Sequence, residues 1–187
     1  PEKKMKTIYL VRHGKAMSMD SDILDFDRTL IEKGENDSIL VGKRLRELEI
    51  KTSLMISSPA ARALTSAKLI AKQLGYRQKS IRTRKSLYDQ SESAIINIIH
   101  EIDRTHDDVM LVGHNPLFAD FARTFAKGFK ADIPTCGIVG IEFDINKWKD
   151  ISENQGILKL HVFPNEVRKS FTKKSVKNEL EKKITEK

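Results

Sequence analysis

The chain has 187 residues, and its 34 Lys and Arg against 26 Asp and Glu give a formal net charge of +8. A chain of this length fits one domain and buries about 70% of its unfolded surface, so its core needs neither disulfides nor a structural metal. The single cysteine, Cys136, excludes an internal disulfide and suits a reducing compartment. No apolar run approaches the roughly 18–20 residues that span a bilayer, and no signal-peptide pattern opens the chain. We therefore expect a cytoplasmic protein without a membrane partner.

The positive charge is concentrated near the C-terminus. Residues 165–187 contain eight Lys or Arg and four Glu, and the difference between them accounts for half of the net charge of +8. We predict one folded domain over residues 1–164, followed by a basic C-terminal extension that is either helical or mobile. Aromatic residues make up only 6% of the chain, and no basic stripe with interleaved aromatics is present. A nucleic-acid partner is therefore not expected.

The first predicted elements are a strand and a helix. Ile8–Val11 is a short apolar run of the kind that forms a buried strand. Thr29 and Glu32 have capping-box spacing, and apolar residues behind them recur at helical intervals. This pattern predicts a helix over residues 31–48.

A second strand and helix follow. Leu54–Ile56 is another short apolar run, and it ends at Ser58 and Pro59. Ser58 is suited to the N-cap and Pro59 to the first helical position. Gly75 is a good residue for the end of this helix.

The rest of the chain continues the alternation. The apolar spacing predicts helices over 91–103 and 117–127, a buried strand over 109–112, and later strands over 137–143 and 157–163. Alternating short strands and helices predict a three-layer α/β/α domain with a mostly parallel sheet.

Unusual polar residues follow three of the predicted strands. Arg12 and His13 come directly after the first strand, Arg62 lies just beyond the second, and His114 follows the strand over 109–112. In open α/β sheets, ligands bind outside the carboxyl ends of the strands. We therefore expect these four side chains to meet at one edge of the sheet.

This set of side chains suits phosphoryl chemistry. Guanidinium groups match phosphate oxygens in bidentate geometry, and a neutral imidazole is a competent nucleophile toward phosphorus. The arginines should lower the pKa of His13 and keep it unprotonated. His114, when protonated, can stabilise negative charge on the transferring oxygens. No step requires a metal or a cofactor.

Motifs along residues 6–163 resemble the histidine phosphatase superfamily, the phosphoglycerate-mutase-like fold, and in detail its short SixA-type branch. Each motif alone is weakly specific, but their order and structural context make the resemblance specific. They are Leu10-Val11-Arg12-His13-Gly14-Lys15-Ala16, Asp27-Arg28-Thr29-Leu30, Ser57-Ser58-Pro59-Ala60-Ala61-Arg62-Ala63, Val112-Gly113-His114-Asn115-Pro116 and Thr135-Cys136-Gly137-Ile138.

The resemblance implies a metal-independent phosphatase that forms a phosphohistidine on His13. Arg12, Arg62 and His114 would complete the phosphate pocket, and Arg28 would line its mouth or brace a loop. The implied partner is a phosphorylated substrate, with a phosphohistidine-bearing protein preferred and inorganic phosphate as product.

The proton donor is left open by the sequence. Larger relatives use a carboxylate in the region of Leu87-Tyr88-Asp89, which makes Asp89 a candidate general acid. Asp89 has an equally good alternative as N-cap of a helix beginning near Ser91. A phosphoramidate leaving group can already carry its proton, so an acid matters less for phosphohistidine.

Two alternative functions stay open. A small-molecule phosphatase or mutase for phosphomonoesters would need a dependable acid, and a mutase would also need a lid that excludes water. A catalytically silent phospho-binding module would not need the nucleophile His13.

Overall fold

The computed structural model describes residues 5–19, 22–91 and 93–171, over which strands and helices alternate. The strands are β1 (Met5–Arg12), β2 (Leu54–Ser57), β3 (Arg82–Thr83), β4 (Asp108–Gly113), β5 (Ile138–Asp144) and β6 (Ile157–Val162). The helices are α1 (Glu32–Glu47), α2 (Ala61–Leu74), α3 (Ser86–Asp89), α4 (Ala94–His100) and α5 (Leu117–Phe125).

The strands of the described chain form one six-stranded sheet in the order β3-β2-β4-β1-β5-β6. The pairs β3-β2, β2-β4 and β4-β1 are parallel, whereas β5 and β6 are antiparallel to their neighbours. The predicted three-layer α/β/α fold with a mostly parallel sheet is confirmed. Its parallel part carries the carboxyl-end edge on which the predicted site residues lie.

Both faces of the sheet are buried along β1, β2 and β4, which explains why these strands read as continuous apolar runs rather than alternating ones. Along β1, Ile8 and Leu10 face the core formed with α4 and α5. Tyr9 and Val11 face the opposite core, which α1 and α2 cover. Burial of each large aliphatic side chain contributes about 1.5–3 kcal/mol, so both layers stabilise the central strands.

The boundaries of α1 and the end of α2 agree with the sequence predictions, but the start of α2 does not. Gly75 closes α2 in the left-handed conformation at φ 69°. The helix begins at Ala61 with Ala60 as N-cap, so the predicted N-cap at Ser58 is wrong. Ser58 Oγ lies 2.8 Å from His114 Nε2, and its one main-chain donor among the described residues is Ala60 N at 3.3 Å, ahead of the first turn of α2.

The region after β2 also differs from its prediction. Asp89 ends the four-residue helix α3, because Gln90 turns into the left-handed region at φ 53°. Helix α4 starts at Ala94 with Ser93 as N-cap, so the alternative of Asp89 as an N-cap is wrong. Strand β3 was not predicted, because it has only two residues and both are polar.

The beginning of the basic extension is structured. Residues 164–171 are helical, and Val167 packs into the core shared with α1 and α2 at 5% exposure. Arg168 forms an ion pair with the buried Asp37 of α1. The division at residue 164 stays a prediction, and residues 172–187 lie outside the described part. No helix within the described residues is long and apolar enough to cross a membrane.

Candidate active site

The register of the strands aligns the C-terminal ends of β1, β4 and β2 at one edge of the sheet. Val11 pairs with Val112, and Val112 pairs with Ser57 on its other side. Backbone pairing extends one step further, since His13 N donates to Gly113 O at 2.9 Å and Ser58 N donates to Val112 O at 2.8 Å. The turns that carry His13, Ser58 and His114 therefore leave the sheet side by side.

A close approach of two glycines fixes the turn after β1. A Cβ atom on Gly14 would lie 2.7 Å from Gly34 O in the first turn of α1, and a Cβ on Gly34 would collide with Lys15 O. The turn is held from the other side by a hydrogen bond from Gly14 N to Ser66 Oγ at 2.9 Å. Since His13 immediately precedes this contact, α1 and α2 together position its ring.

The His13 ring presents an unprotonated nitrogen to the site. Nδ1 lies 2.6 Å from Gly14 O and donates to it, because a carbonyl oxygen can only accept. The neutral ring then has its lone pair on Nε2, toward which Arg62 Nε–H points at 3.4 Å. Burial lowers the pKa of His13 to about 4. The hydrogen bond to Gly14 opposes that shift, and the charges of Arg62 and Arg12 reinforce it.

His114 is the second ring of the site. Its centroid lies 5.0 Å from that of His13, and its Nε2 is 2.8 Å from Ser58 Oγ. When the Ser58 hydroxyl donates to Nε2, the neutral ring carries its proton on Nδ1, which has no hydrogen-bond partner among the described residues. Burial lowers the pKa of His114 to about 3, with further lowering from His13 and Arg62. His114 is therefore available as a neutral donor rather than as the cation considered from the sequence.

Three arginines surround the two rings. Arg12 Nη1 donates to Ile133 O at 2.8 Å, while its buried Nε has no partner within the described chain. Arg62 Nη2 and Arg28 Nη2 form ion pairs with the two carboxylate oxygens of Asp25, at 3.0 and 2.7 Å. Arg28 Nη1 also donates to Met17 O at 2.6 Å, so Arg28 holds the loop that precedes it.

The structure brings Arg12, His13, Arg62 and His114 into one cluster, to which Arg28 is joined through Asp25. It does not bring Asp89 there. The Asp89 side chain is exposed, and within the described residues it forms no hydrogen bond with the cluster. The neighbouring residue Tyr88 takes that place: its hydroxyl donates to Asp25 Oδ2 at 3.1 Å, and its ring lies 5.9 Å from that of His114.

Sequence reasoning missed three side chains of the cluster: Asp25, Tyr88 and the Ser58 hydroxyl. Asp25 lies three residues before Arg28, in a short 3₁₀ turn over Asp25–Asp27. That spacing allows an ion pair with Arg28, but nothing in the sequence indicates the contact with Arg62 in α2. Within residues 5–19, 22–91 and 93–171, no group of three or more His, Cys, Asp or Glu side chains could hold a metal ion.

An α/β sheet edge with two neutral imidazoles among three guanidiniums defines a class of protein that handles a small, highly charged oxyanion. Comparison with known families agrees: residues 8–91 match the histidine phosphatase superfamily (branch 1). This match and the residues of the site support a phosphatase related to the histidine phosphatase superfamily.

Two similar proteins differ in their sequence identity to this chain and in how much of each chain the match covers. An uncharacterized protein of Picosynechococcus sp. is 29% identical over 142 residues, which are 72% of this chain and 83% of that protein. The mitochondrial serine/threonine-protein phosphatase Pgam5 of Drosophila melanogaster is 36% identical over 81 residues. That match covers 42% of this chain but only 27% of Pgam5, so the matched segment is about a quarter of that relative.

Solved structures share the fold. A Nakamurella multipartitia chain described as a phosphohistidine phosphatase SixA superposes with a TM-score of 0.74 at 19% identity, covering 86% of this chain and 96% of that one. The protein histidine phosphatase SixA complexed with tungstate gives a TM-score of 0.69 at 17% identity, covering 86% and 99%.

Proposed function

We propose that this phosphatase acts through a covalent phosphohistidine on His13 Nε2, without a metal, and that its substrate is phosphohistidine on another protein. The observation that carries the mechanism is the pair of contacts on the His13 ring. Nδ1–H is fixed on Gly14 O at 2.6 Å, which leaves the Nε2 lone pair beside Arg62 Nε at 3.4 Å. A pKa of about 4 keeps this ring neutral at physiological pH.

In the first step, the Nε2 lone pair forms a bond to phosphorus while the bond to the leaving group breaks. Arg12 and Arg62 neutralise charge on the transferring oxygens, and His114 Nδ1–H donates to one of them. A phosphohistidine substrate departs as an imidazole that already carries the required proton. This suits a site in which Asp89 is exposed and unconnected to the cluster.

In the second step, water attacks the phosphorus of the His13 intermediate and the N–P bond breaks. The water proton passes to the departing phosphate or to solvent, and His13 returns as the neutral ring. Splitting one displacement into two is the general advantage of covalent catalysis. The same arginines serve both steps, because the charge stays on the same oxygens.

The surroundings of the site support a protein as substrate. Several apolar side chains of the loop beside Asp25 are exposed, with Met19 at 72% and Leu24 at 74%. A cavity of about 740 Å³ opens at Pro116, two residues beyond His114, and Phe121 and Arg123 also line it. Exposed apolar surface next to polar groups is typical of sites that contact other proteins.

A second candidate is dephosphorylation of phosphoserine or phosphothreonine, favoured by the similarity to Pgam5. An alkoxide leaving group needs a proton in the transition state, so this function requires a general acid. Asp89 would have to move toward the site to supply it. Small phosphomonoesters make the same demand.

The test is release of inorganic phosphate in excess EDTA from three substrates: a histidine-phosphorylated protein, a phosphoserine peptide and p-nitrophenyl phosphate. His13→Ala is compared with the wild type, and His100→Ala serves as control because His100 lies exposed at the end of α4. We expect His13→Ala to abolish turnover and His100→Ala to retain it. We also expect an acid-labile, base-stable phosphoryl label on the wild type that is lost in His13→Ala.

The remaining outcomes separate the alternatives. Turnover that survives His13→Ala would contradict the covalent mechanism. Wild-type turnover that is seen without EDTA but lost when EDTA is added would contradict metal independence. A higher kcat/KM on the phosphoserine peptide or on p-nitrophenyl phosphate would favour the phosphoester functions. Phosphate binding without turnover on any substrate would favour a silent phospho-binding module.

A further inference from the structure

The Asp25 carboxylate occupies the donors that a phosphate would use. Its Oδ2 accepts from Arg62 Nη2 at 3.0 Å and from the Tyr88 hydroxyl at 3.1 Å. Its Oδ1 accepts from Arg28 Nε at 3.0 Å and from Arg28 Nη2 at 2.7 Å. Arg62 Nη1 is engaged as well, at 2.5 Å from the main-chain oxygen of Asp25. Both terminal nitrogens of Arg62 thus bind Asp25 in the free protein.

Asp25 is a permanent anion in this setting. Burial disfavours its charged form, but hydrogen bonds from Arg28 and Arg62 outweigh burial and lower its pKa to about 2. The carboxylate nevertheless keeps a third of its surface open to solvent, with a side-chain exposure of 33%. It is therefore charged, tightly hydrogen-bonded and still accessible to an incoming anion.

This inference rests on the proposed function of the same site. We propose that Asp25 is an internal competitor of the phosphoryl group: it binds Arg62, Arg28 and Tyr88 in the free enzyme, and the substrate must displace it. A phosphate dianion carries more charge and more acceptor oxygens than a carboxylate, so it can win this exchange. After hydrolysis, the returning carboxylate helps to expel the product phosphate.

The exchange also confers selectivity. A monoanionic ligand gains little when it replaces an equal charge, whereas a dianionic phosphoryl group gains from the second charge. The site therefore selects phosphoryl groups over carboxylates, which any protein surface presents in excess. Asp25 acts in this account as a specificity-determining residue that need not touch the reacting atoms.

A purely bracing role for Asp25 makes the opposite prediction. If Asp25 only orients Arg62 and Arg28, removing it loosens both guanidiniums and weakens phosphate binding. If Asp25 competes for them, removing it frees their donors and strengthens phosphate binding. The sign of the change in phosphate affinity distinguishes the two roles.

The experiment measures the Kd of inorganic phosphate by isothermal titration calorimetry for the wild type, Asp25→Asn and Asp25→Ala. Asp27→Asn is the matched control, since it removes the same charge from an exposed position in the same 3₁₀ turn. We expect both Asp25 variants to bind phosphate about tenfold more tightly, which corresponds to about 1.4 kcal/mol, because the competing charge is removed. Asp27→Asn should stay within about twofold of the wild type.

Turnover of a phosphorylated substrate gives a second readout. Both Asp25 variants should lower KM and the inhibition constant for phosphate, and kcat should fall when phosphate release is slow. Unchanged or weaker phosphate binding in both Asp25 variants would overturn the competitor role while leaving the phosphatase mechanism intact. A wild type that does not bind phosphate at all, even at millimolar concentration, would instead contradict the proposed function.

Discussion

The two ends of the sheet hold buried cations in different ways. At the amino end of β1, Lys6 is fully buried, and its Nζ donates to Arg104 O, His106 O and Asp107 Oδ1 at 2.8–2.9 Å. At the carboxyl end, Arg62 is 5% exposed and binds the carboxylate and the main-chain oxygen of Asp25. Two of the Lys6 acceptors are main-chain carbonyls, whereas the carboxylate bound by Arg62 belongs to a side chain that is 33% exposed.

The difference separates a cation that stabilises the fold from one that serves the ligand. Around Lys6 every donor proton has an acceptor, so the charge is compensated within the fold. At the other end, Arg12 Nε and His114 Nδ1 lack partners in the described chain, and three guanidiniums repel one another. Unsatisfied donors of this kind are typical of a site that is completed by its ligand.

The largest expected effect is on activity, at the carboxyl end. Arg62→Ala should lower kcat/KM by about a thousandfold, because it removes a donor to the transferring oxygens. It should leave the free energy of unfolding within about 1 kcal/mol, since it also relieves repulsion among the arginines. Steady-state kinetics and urea unfolding measure both quantities, with Arg77→Ala as the exposed control. A large loss of stability in Arg62→Ala would show that Arg62, like Lys6, stabilises the fold, and would contradict the distinction between the two cations.

The next effect is on stability, at the amino end. Lys6→Met keeps the length of the side chain but removes one donor to the Asp107 carboxylate and to each of two main-chain carbonyls. We expect the free energy of unfolding to fall by about 3 kcal/mol, while kcat/KM at 20 °C stays within about twofold of the wild type. Urea unfolding followed by tryptophan fluorescence would report the change, since Trp148 lies 5.3 Å from Lys6 Nζ. Full stability in this variant would mean that water replaces the ammonium group.

A smaller effect is expected at Ser58. Ser58→Ala removes the hydroxyl that lies 2.8 Å from His114 Nε2, so the ring loses the hydrogen bond that fixes its tautomer. We expect kcat to fall about tenfold with little change in KM, because the lost donor acts mainly in the transition state. Ser58→Thr keeps the hydroxyl and should retain more activity than Ser58→Ala. Equal losses in both variants would point to a packing role for Ser58.

The smallest effect is the pH dependence near neutrality. The histidines titrate near 6.5 in the unfolded chain, whereas the folded pKa of His13 is about 4 and that of His114 about 3. Between these limits the unfolded chain binds more protons, so the stability that the two neutral histidines contribute is fully present above pH 6.5 and decreases as the pH falls toward 4. Urea unfolding at several pH values should show this slope, and His114→Asn should reduce it.

The activity profile follows the same titration. His13 stays neutral down to its lowered pKa, whereas the phosphoryl group of the substrate loses its second charge at about pH 6. After correction for this substrate ionisation, kcat/KM should be flat from pH 8 to 5 and fall only near pH 4. An acidic limb near 6.5 that persists after the correction would show that the ring is more exposed in solution than its contacts indicate.

Much of the fold could be predicted because a buried parallel sheet leaves a simple pattern in sequence. The apolar runs of β1, β2 and β4 located the strands, and the sheet rule then located Arg12, His13, Arg62 and His114. Arg12, His13 and His114 lie at strand ends or one residue beyond them, and Arg62 lies in the first turn of the helix that follows β2, so short stretches of sequence determine their positions.

The remaining site residues depend on contacts that short patterns do not encode. Tyr88 and Asp89 are neighbours in α3, and a rotation of about 100° per residue decides which one faces His114. Ser58 satisfied an N-cap pattern, yet its hydroxyl is used by a ring 56 residues away. Asp25 is linked to Arg62 across 37 residues, which neither spacing nor composition could indicate.

The close contact between Gly14 and Gly34 leaves no room for the turn that carries His13 to shift. The two main chains touch without intervening side chains, so any displacement of α1 is passed directly to the peptide that carries His13. We expect Gly14→Ala or Gly34→Ala to displace the His13 ring from Arg62 while the protein still folds. A displacement of about 1 Å at a catalytic group can lower the rate about a hundredfold. The position of His13 therefore depends on glycine at both sites. Substitutions that are designed to stabilise this protein should leave Gly14 and Gly34 unchanged.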